Sequence, residues 1–392
     1  MLEKLVELSN RYGARPEYTL AGGGNSSYKN NGEMYVKASG TRLATIESEG
    51  FVGVDRHKLA YIMQKEYSAD EKQREAEVLA DLMEARLPGS ETKRPSVETL
   101  LHNLFTEAYV LHLHPAAVNG LSCGRGGEMA AREIFADEFV WVESYKPGYA
   151  LAKLCEKKIS DYRSVHGKNP NKIILQNHGI FAAGDEPEII DRIMEDLMRK
   201  LHTAMPLKPR HEAVFAESLQ RIQEFKRIIK ETTGCGAVVH LTNPDMMEMI
   251  EDEGSFFPLS APFTPDHIVY CKARFLRIDA DEPTKPGELA EPGESTESGE
   301  LIKQEELIQR KCAEFTREFG YAPKVICVKG LGAFLTGINE TDAADTAALF
   351  ADAVDIAVYS RNFGGALHMT PELVKFISGW EAEAYRRKVA DG

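Results

Sequence analysis

The sequence predicts an α/β protein: a layered sheet of mixed, mainly antiparallel direction with flanking helices, followed by a second α/β domain. Three observations lead there. Apolar runs of strand length, such as Tyr109-Val110-Leu111 and Ile173-Ile174-Leu175, alternate with stretches whose apolar residues recur at helical spacing. Asn31-Gly32 sits between two short runs, which signals a tight antiparallel hairpin. At 392 residues the chain exceeds what one core of ordinary size requires, and two domains are expected, 1–215 and 216–392.

Met1 to Gly13 reads as an amphipathic helix with Leu2, Leu5 and Val6 on one side. The hairpin follows, its second arm Glu33 to Lys37 running into Ser39-Gly40-Thr41. It brings two small polar clusters together, Gly24-Asn25-Ser26-Ser27 and Ser39-Gly40-Thr41. Their hydroxyls, amides and uncovered backbone N–H groups suit a phosphate dianion, and a glycine-rich turn without a ligand is the plain alternative. No GxxxxGK[ST] occurs, which argues against a nucleotide. Residues 71 to 87 form a predicted helix with Leu79, Leu82 and Met83 inward, stopped by Pro88-Gly89. Ser96 is expected to cap the next helix, with Glu98 in its first turn and His102 one turn later as the partner of Glu98 or as core. A carboxylate there is either a dipole-favoured capping residue or a chemical group. The strand Phe139 to Val142, a helix ending near Gly167, the strand leading to His178 and the helix Glu188 to Leu201 complete the alternation.

Chemistry concentrates in Leu111-His112-Leu113-His114-Pro115. Residues two apart on a strand point to one face, so both imidazoles can reach one point. His178, after an apolar run and before Gly179, supplies a third nitrogen with room for a ligand beside its ring. Three protein ligands with an open fourth position are the usual catalytic zinc site, although any one of these histidines alone is equally a core residue.

A net charge of -14 gives no global basic face, which argues against nucleic acid and anionic membrane as partners. Lys29, Lys37, Arg42 and Arg94 are local exceptions near the polar motifs and could serve an anionic substrate. Six cysteines lie scattered without CxxC spacing, so neither a disulfide framework nor a cysteine zinc site is expected. With no signal-peptide pattern and no long apolar run, a cytoplasmic location is expected.

Beyond Gly234 the pattern restarts with Ala237 to Leu241, and Thr264 to Ile278 is expected to supply a strand pair. Residues 281 to 300, rich in Glu, Pro, Gly and Ser, read as an acidic flexible insertion. Leu301 to Phe319 is an amphipathic helix with Ile308, Cys312 and Phe315 on its core stripe, and a last helix follows Thr370-Pro371 with Trp380 against the core. His240, His267 and His368 have no spacing that makes a site. Ile173 to Gly184 aligns without gaps to Ile326 to Gly337, so the second domain is expected to be a degenerate repeat of the first, with His178 replaced by Leu331.

Gly24-Asn25-x-Ser27, Lys37-x-Ser39-Gly40, Ser96-x-Glu98, His112-x-His114-Pro115 and Asn177-His178-Gly179, in this order, resemble the class II aldolase/adducin family over roughly residues 10 to 205. Within it, the Gly22-Gly23-Gly24-Asn25, Val36 to Gly40 and Arg94-Pro95-Ser96 segments, with the continuation past residue 220, resemble the aldolase half of bifunctional rhamnulose-1-phosphate aldolase/lactaldehyde dehydrogenases. The dehydrogenase half is missing from this sequence: Gly330-Leu331-Gly332 leads to Leu335 where a dinucleotide fingerprint needs glycine. The resemblance implies a zinc-dependent aldolase acting on a small sugar phosphate, with a homo-oligomer left open. His112, His114 and His178 would hold Zn2+, which stabilises the enediolate left by C–C cleavage, while Glu98 moves protons. Asn25, Ser27, Ser39, Gly40 and Ser96 would contact substrate or phosphate. Val97 departs from the family, where many relatives place a second serine. Family epimerases tend to carry aspartate at the place of Glu98, so glutamate favours bond cleavage; an epimerase, a decarboxylase and a metal-free adducin-like interaction module are the alternatives.

Overall fold

The computed structural model describes residues 1–214, 219–279 and 297–380. The acidic insertion expected over 281–300 therefore lies outside the described residues, apart from its last four, which begin the helix Glu297–Phe319. The chain divides into two compact units, one of Met1–Leu207 with Tyr359–Gly392 and one of Lys208–Val358. The expected second domain, 216–392, differs from this: its C-terminal segment groups with the first unit, which linear position along a sequence does not disclose.

In the first unit a seven-stranded sheet is built from β1 (Asn25–Lys29), β2 (Glu33–Lys37), β3 (Phe51–Asp55), β4 (Tyr109–Leu113), β5 (Val140–Val142), β6 (Lys172–Leu175) and β7 (Gly179–Gly184), in the order β3-β2-β1-β4-β7-β6-β5. Neighbours are antiparallel except β5 and β6. The mixed, mainly antiparallel sheet with flanking helices is thus as expected. β1 and β2 form the expected hairpin, pairing Lys29 with Met34 across a turn in which the Asn30 side chain accepts the N–H of Gly32 and of Glu33. β3 goes beyond the sequence reading, because Phe51-Val52-Gly53-Val54 is a continuous apolar run with no alternation to mark it.

Each face of the sheet carries its own apolar cluster. One joins Leu5 and Leu8 of the first helix to Val118, Leu121, Met194 and Leu197, and takes Leu111 and Leu113 from β4. The other joins Leu59, Leu82, Leu100 and Leu151 and takes Val110. Period-two alternation therefore turns His112 to the Val110 face. On the helix Glu71–Glu84, capped by the Asp70 side chain, the inward residues are Val78 and Leu82 rather than the expected Leu79, Leu82 and Met83. Ala85, seven residues after Val78, continues that stripe just past the helix end. After Thr370, whose hydroxyl accepts the N–H of Leu373, comes the helix Pro371–Ser378, the last among the described residues, and Trp380 lies against Phe376.

The second unit holds β8 (Ala237–Leu241), β9 (Leu276–Ile278), β10 (Val325–Val328) and β11 (Gly332–Gly337) in the order β8-β11-β10-β9, with only β9 and β10 parallel. Phe225, Ile229, Leu307, Phe315 and Phe334 form its core. The strand pair expected over Thr264 to Ile278 is corrected to a helix, Pro265–Cys271, followed by β9. Proline at the first helical position and Asp266 in the first turn are the local signals that favour helix there. None of the six cysteines is in a disulfide, and among the described residues no helix is long and apolar enough to cross a membrane.

Candidate metal centre

β4 lies in the middle of the sheet, and the histidine pair stands at its C-terminal end. His112 is fully buried and stacks on Phe181 of β7, its registered partner, with ring centroids 4.1 Å apart. Its Nδ1–H donates to the carbonyl of Ile180 at 3.0 Å, so in the neutral ring Nε2 presents a lone pair. His114 follows two residues on, its Nε2 at 2.9 Å from His112 Nε2. His178 arrives from the turn between β6 and β7. Asn177 takes a left-handed conformation there (φ 57°), one that asparagine tolerates, and its side-chain N–H donates to the carbonyl of Leu367. Gly179 is required next: a Cβ at that position would lie 2.3 Å from the Leu113 carbonyl oxygen and 2.8 Å from His114 Cδ2. The three histidines each offer a ring nitrogen, and these atoms lie within 4.8 Å of one another.

Glu98 reaches the same point from the neighbouring loop. Its Oε1 lies 3.1 Å from His112 Nε2 and 3.3 Å from His178 Nε2, is buried, and receives no hydrogen bond. The expected cap is corrected: the helix is Thr99–Leu104, Glu98 occupies its N-cap, and the Ser96 hydroxyl accepts the Glu98 N–H at 3.2 Å just ahead of it. Burial opposes charge on Glu98, but positive charge on the facing His112, His178 and His114 rings, when they are protonated, outweighs it and holds the carboxyl well below its usual range.

A directed chain of buried hydrogen bonds fixes that carboxylate. Asn25, registered opposite His112 on β1, donates through Nδ2 to Glu98 Oε2 and to the Ser96 hydroxyl. The Asn25 carbonyl oxygen is then left to accept from His102 Nε2, so His102 Nδ1 accepts from the Ser27 hydroxyl at 2.7 Å. His102 therefore bonds Asn25 and Ser27 rather than Glu98 itself, and burial lowers its basicity so that it stays neutral. Ser27, expected at the phosphate, is fully buried and spends its hydroxyl on His102. Asn25 and Ser27 share one strand face at spacing two, which is the signal the sequence offers for this link; the position of His102 beneath them needs the fold.

Ser39 and Gly40 are half-buried at the end of β2, where Ser39 N–H donates to the carbonyl of Arg94 and Ala38 bridges to Pro95. The Lys37 ammonium bonds the carbonyls of Thr41, at 2.5 Å, and Gly22, and so ties the two polar loops together. Lys29 bonds the carbonyl of His102, and burial lowers its pKa to about 7. These two lysines serve the backbone that frames the site.

Residues 3–203 match the family profile described as the Class II Aldolase and Adducin N-terminal domain. The chain belongs to the class II aldolase and adducin family. Over 418 aligned residues it is 24% identical to a Bacillus subtilis (strain 168) protein described as the uncharacterized oxidoreductase YuxG, covering 99% of this chain and 58% of that protein. The chain thus spans little more than half the length of that relative. Among solved structures, the N-terminal class II aldolase domain of a conserved Thermoplasma acidophilum protein is 24% identical, covering 52% of this chain and 92% of that one with a TM-score of 0.43. An L-fuculose-1-phosphate aldolase from Thermus thermophilus is 14% identical, covering 51% of this chain and 93% of that one with a TM-score of 0.33.

The class II aldolase residues fit a divalent metal on their own chemistry. Three imidazole rings, each offering one nitrogen, and a buried carboxylate oxygen converge, a set of ligand atoms of the kind that a divalent cation takes.

Proposed function

We propose that the chain is a zinc-dependent lyase that cleaves a ketose 1-phosphate of the rhamnulose-1-phosphate type into dihydroxyacetone phosphate and an aldehyde. The observation that supports it most is the convergence of His112, His114 and His178 with the unbonded Oε1 of Glu98. Held by the three histidines, Zn2+ would supply Lewis-acid polarisation of substrate oxygens.

The protein's own groups have separable tasks in this reading. Asn25 holds Glu98 Oε2, which leaves Oε1 as the atom that takes a proton from substrate and returns it. Ser96 accepts from Asn25 and from the Glu98 N–H, so its own hydroxyl proton is directed away from both and is available to a substrate oxygen. Ser39 and Gly40 offer a hydroxyl and an unencumbered backbone to the phosphate, with Gly40 at φ 89°, a conformation that favours glycine. Ser27 acts behind Asn25 through His102. A sugar-phosphate substrate and the absence of any disulfide among the six cysteines support a cytoplasmic place for this chemistry.

The test is incubation of zinc-loaded protein with a panel of ketose 1-phosphates, reading dihydroxyacetone phosphate and aldehyde together. Equal release of both from at least one ketose is expected. Epimerised sugar phosphate, carbon dioxide or no turnover across the panel would overturn the lyase assignment.

A further inference from the structure

We infer that Lys208–Val358 is a second, truncated copy of the aldolase unit whose metal site has been dismantled, so that the chain carries one catalytic centre for two copies of the fold. The strand order β8-β11-β10-β9 repeats β4-β7-β6-β5, with the parallel pair in the same place. Strand lengths agree one for one: five, six, four and three residues in each set.

Register agrees residue by residue, which a chance likeness of two small sheets does not require. Ile173 pairs with Phe181 as Ile326 pairs with Phe334, and Leu175 pairs with Gly179 as Val328 pairs with Gly332. Hydrogen bonds around the turn repeat as well. Gln176 N–H donates to the carbonyl of Val142 at 2.9 Å, and Lys329 N–H to that of Ile278 at 3.0 Å. Ala183 N–H donates to Asn171 at 2.9 Å, and Thr336 N–H to Lys324 at 2.8 Å. The left-handed turn residue is Asn177 in one copy and Gly330 (φ 76°) in the other. Helices Tyr149–His166 and Pro187–Ala204 flank β6 and β7 as Glu297–Phe319 and Glu340–Ser360 flank β10 and β11. Strands β1 to β3 have no counterpart among the described residues of the second unit, and neither does the Asn25 and Glu98 support they frame.

This correspondence locates the lost site atom by atom. Phe181 is registered with His112, and Phe334 with His240; both histidine rings lie against their phenylalanine, at 4.1 Å and 4.8 Å between centroids. A Cβ at Gly179 would meet the Leu113 carbonyl oxygen and the His114 ring, and one at Gly332 would meet the Leu241 carbonyl oxygen at 2.6 Å and the Thr242 methyl at 2.6 Å. His240, Thr242 and Leu331 therefore stand where His112, His114 and His178 stand. One ligand survives, and its Nε2–H is spent on the Leu331 carbonyl at 2.8 Å. Leu331 is buried in the apolar core of its unit and ligates nothing.

The decisive experiment restores the missing ligands in the full chain as the double variant Thr242→His and Leu331→His. Each preparation is titrated with Co2+, and bound metal and ligand-field absorption are read against the unaltered protein. One additional equivalent in a tetrahedral-type nitrogen environment, lost again on adding His240→Ala, is expected. A folded double variant, by circular dichroism, that binds no more Co2+ than its parent overturns the inference. Because the readout is a difference, failure of the first site in the parent shows separately as no metal before any substitution. If the double variant does not fold, a crystal structure of the unaltered metal-loaded protein decides. Superposition of 237–241 with 325–337 on 109–113 with 172–184, with no metal beside Leu331, supports the copy; another strand order or a metal beside Leu331 overturns it.

Discussion

Glu98→Gln isolates proton transfer from metal holding. The substitution keeps the side chain's length, and the direction of the buried chain dictates how the amide sits. Asn25 Nδ2 must meet an acceptor, because its own carbonyl oxygen is committed to His102, so the new carbonyl takes the place of Oε2. The NH2 group then occupies the place of Oε1, 3.1 Å from His112 Nε2, and an amide nitrogen cannot take a proton from substrate as the carboxylate does. Loss of a positioned general base costs about 100- to 10,000-fold in turnover, about 3 to 5 kcal/mol in barrier. Zinc should stay bound, since His112, His114 and His178 supply the three nitrogens. The assay is steady-state release of dihydroxyacetone phosphate beside metal content by mass spectrometry on the same sample. Turnover within about threefold of the unaltered protein, well under the loss expected for a general base, would refute the role of Glu98, and loss of zinc would refute the separation of base from ligands.

His178→Ala removes one of three ligands and is expected to abolish both bound metal and activity; full retention of metal by atomic emission would sink the assignment. Gly179→Ala forces a methyl group against the Leu113 carbonyl oxygen and the His114 ring, an overpacking of about 1 to 3 kcal/mol. Calorimetry should show a lowered melting temperature, and zinc affinity should fall with it; an unchanged melting temperature would show that the turn relaxes freely. Asp355 gives a pH signature in the second unit. Burial, with Asp352 and Asp245 nearby, pushes its pKa up to about 8. The folded chain thus keeps a proton that the unfolded chain releases near pH 4, so this contribution is complete below that pH and is lost as pH rises through about 8. Between about pH 6 and 8 the unaltered protein should lose about 2 kcal/mol more in urea unfolding than Asp355→Asn; parallel pH profiles would exclude it.

The parts of the site that sequence discloses are those held by local geometry. His112-x-His114 needs only the two-residue period of a strand, and Asn177-His178-Gly179 needs only a turn that tolerates a left-handed residue followed by one without a side chain. The hairpin at Asn31-Gly32 is legible for the same reason. Ser27 is not, because its hydroxyl looks identical on paper whether it faces a phosphate or His102, and the helix carrying His102 is brought beneath β1 by packing of Leu100 and Leu101. The return of residues beyond Tyr359 to the first unit and the helix at Pro265–Cys271 escape the sequence on similar grounds: one is a long-range packing choice, the other a short segment whose apolar content masks its proline.

In the proposed reaction a single divalent ion, held by His112, His114 and His178, makes the chain a lyase. The protein is stripped with a chelator, Zn2+ is added back in fractions of an equivalent, and release of dihydroxyacetone phosphate from the ketose 1-phosphate it turns over is followed. Activity should rise from zero in proportion to added zinc and level off at one equivalent per chain. Release that survives the chelator, or that keeps rising to two equivalents, would contradict it.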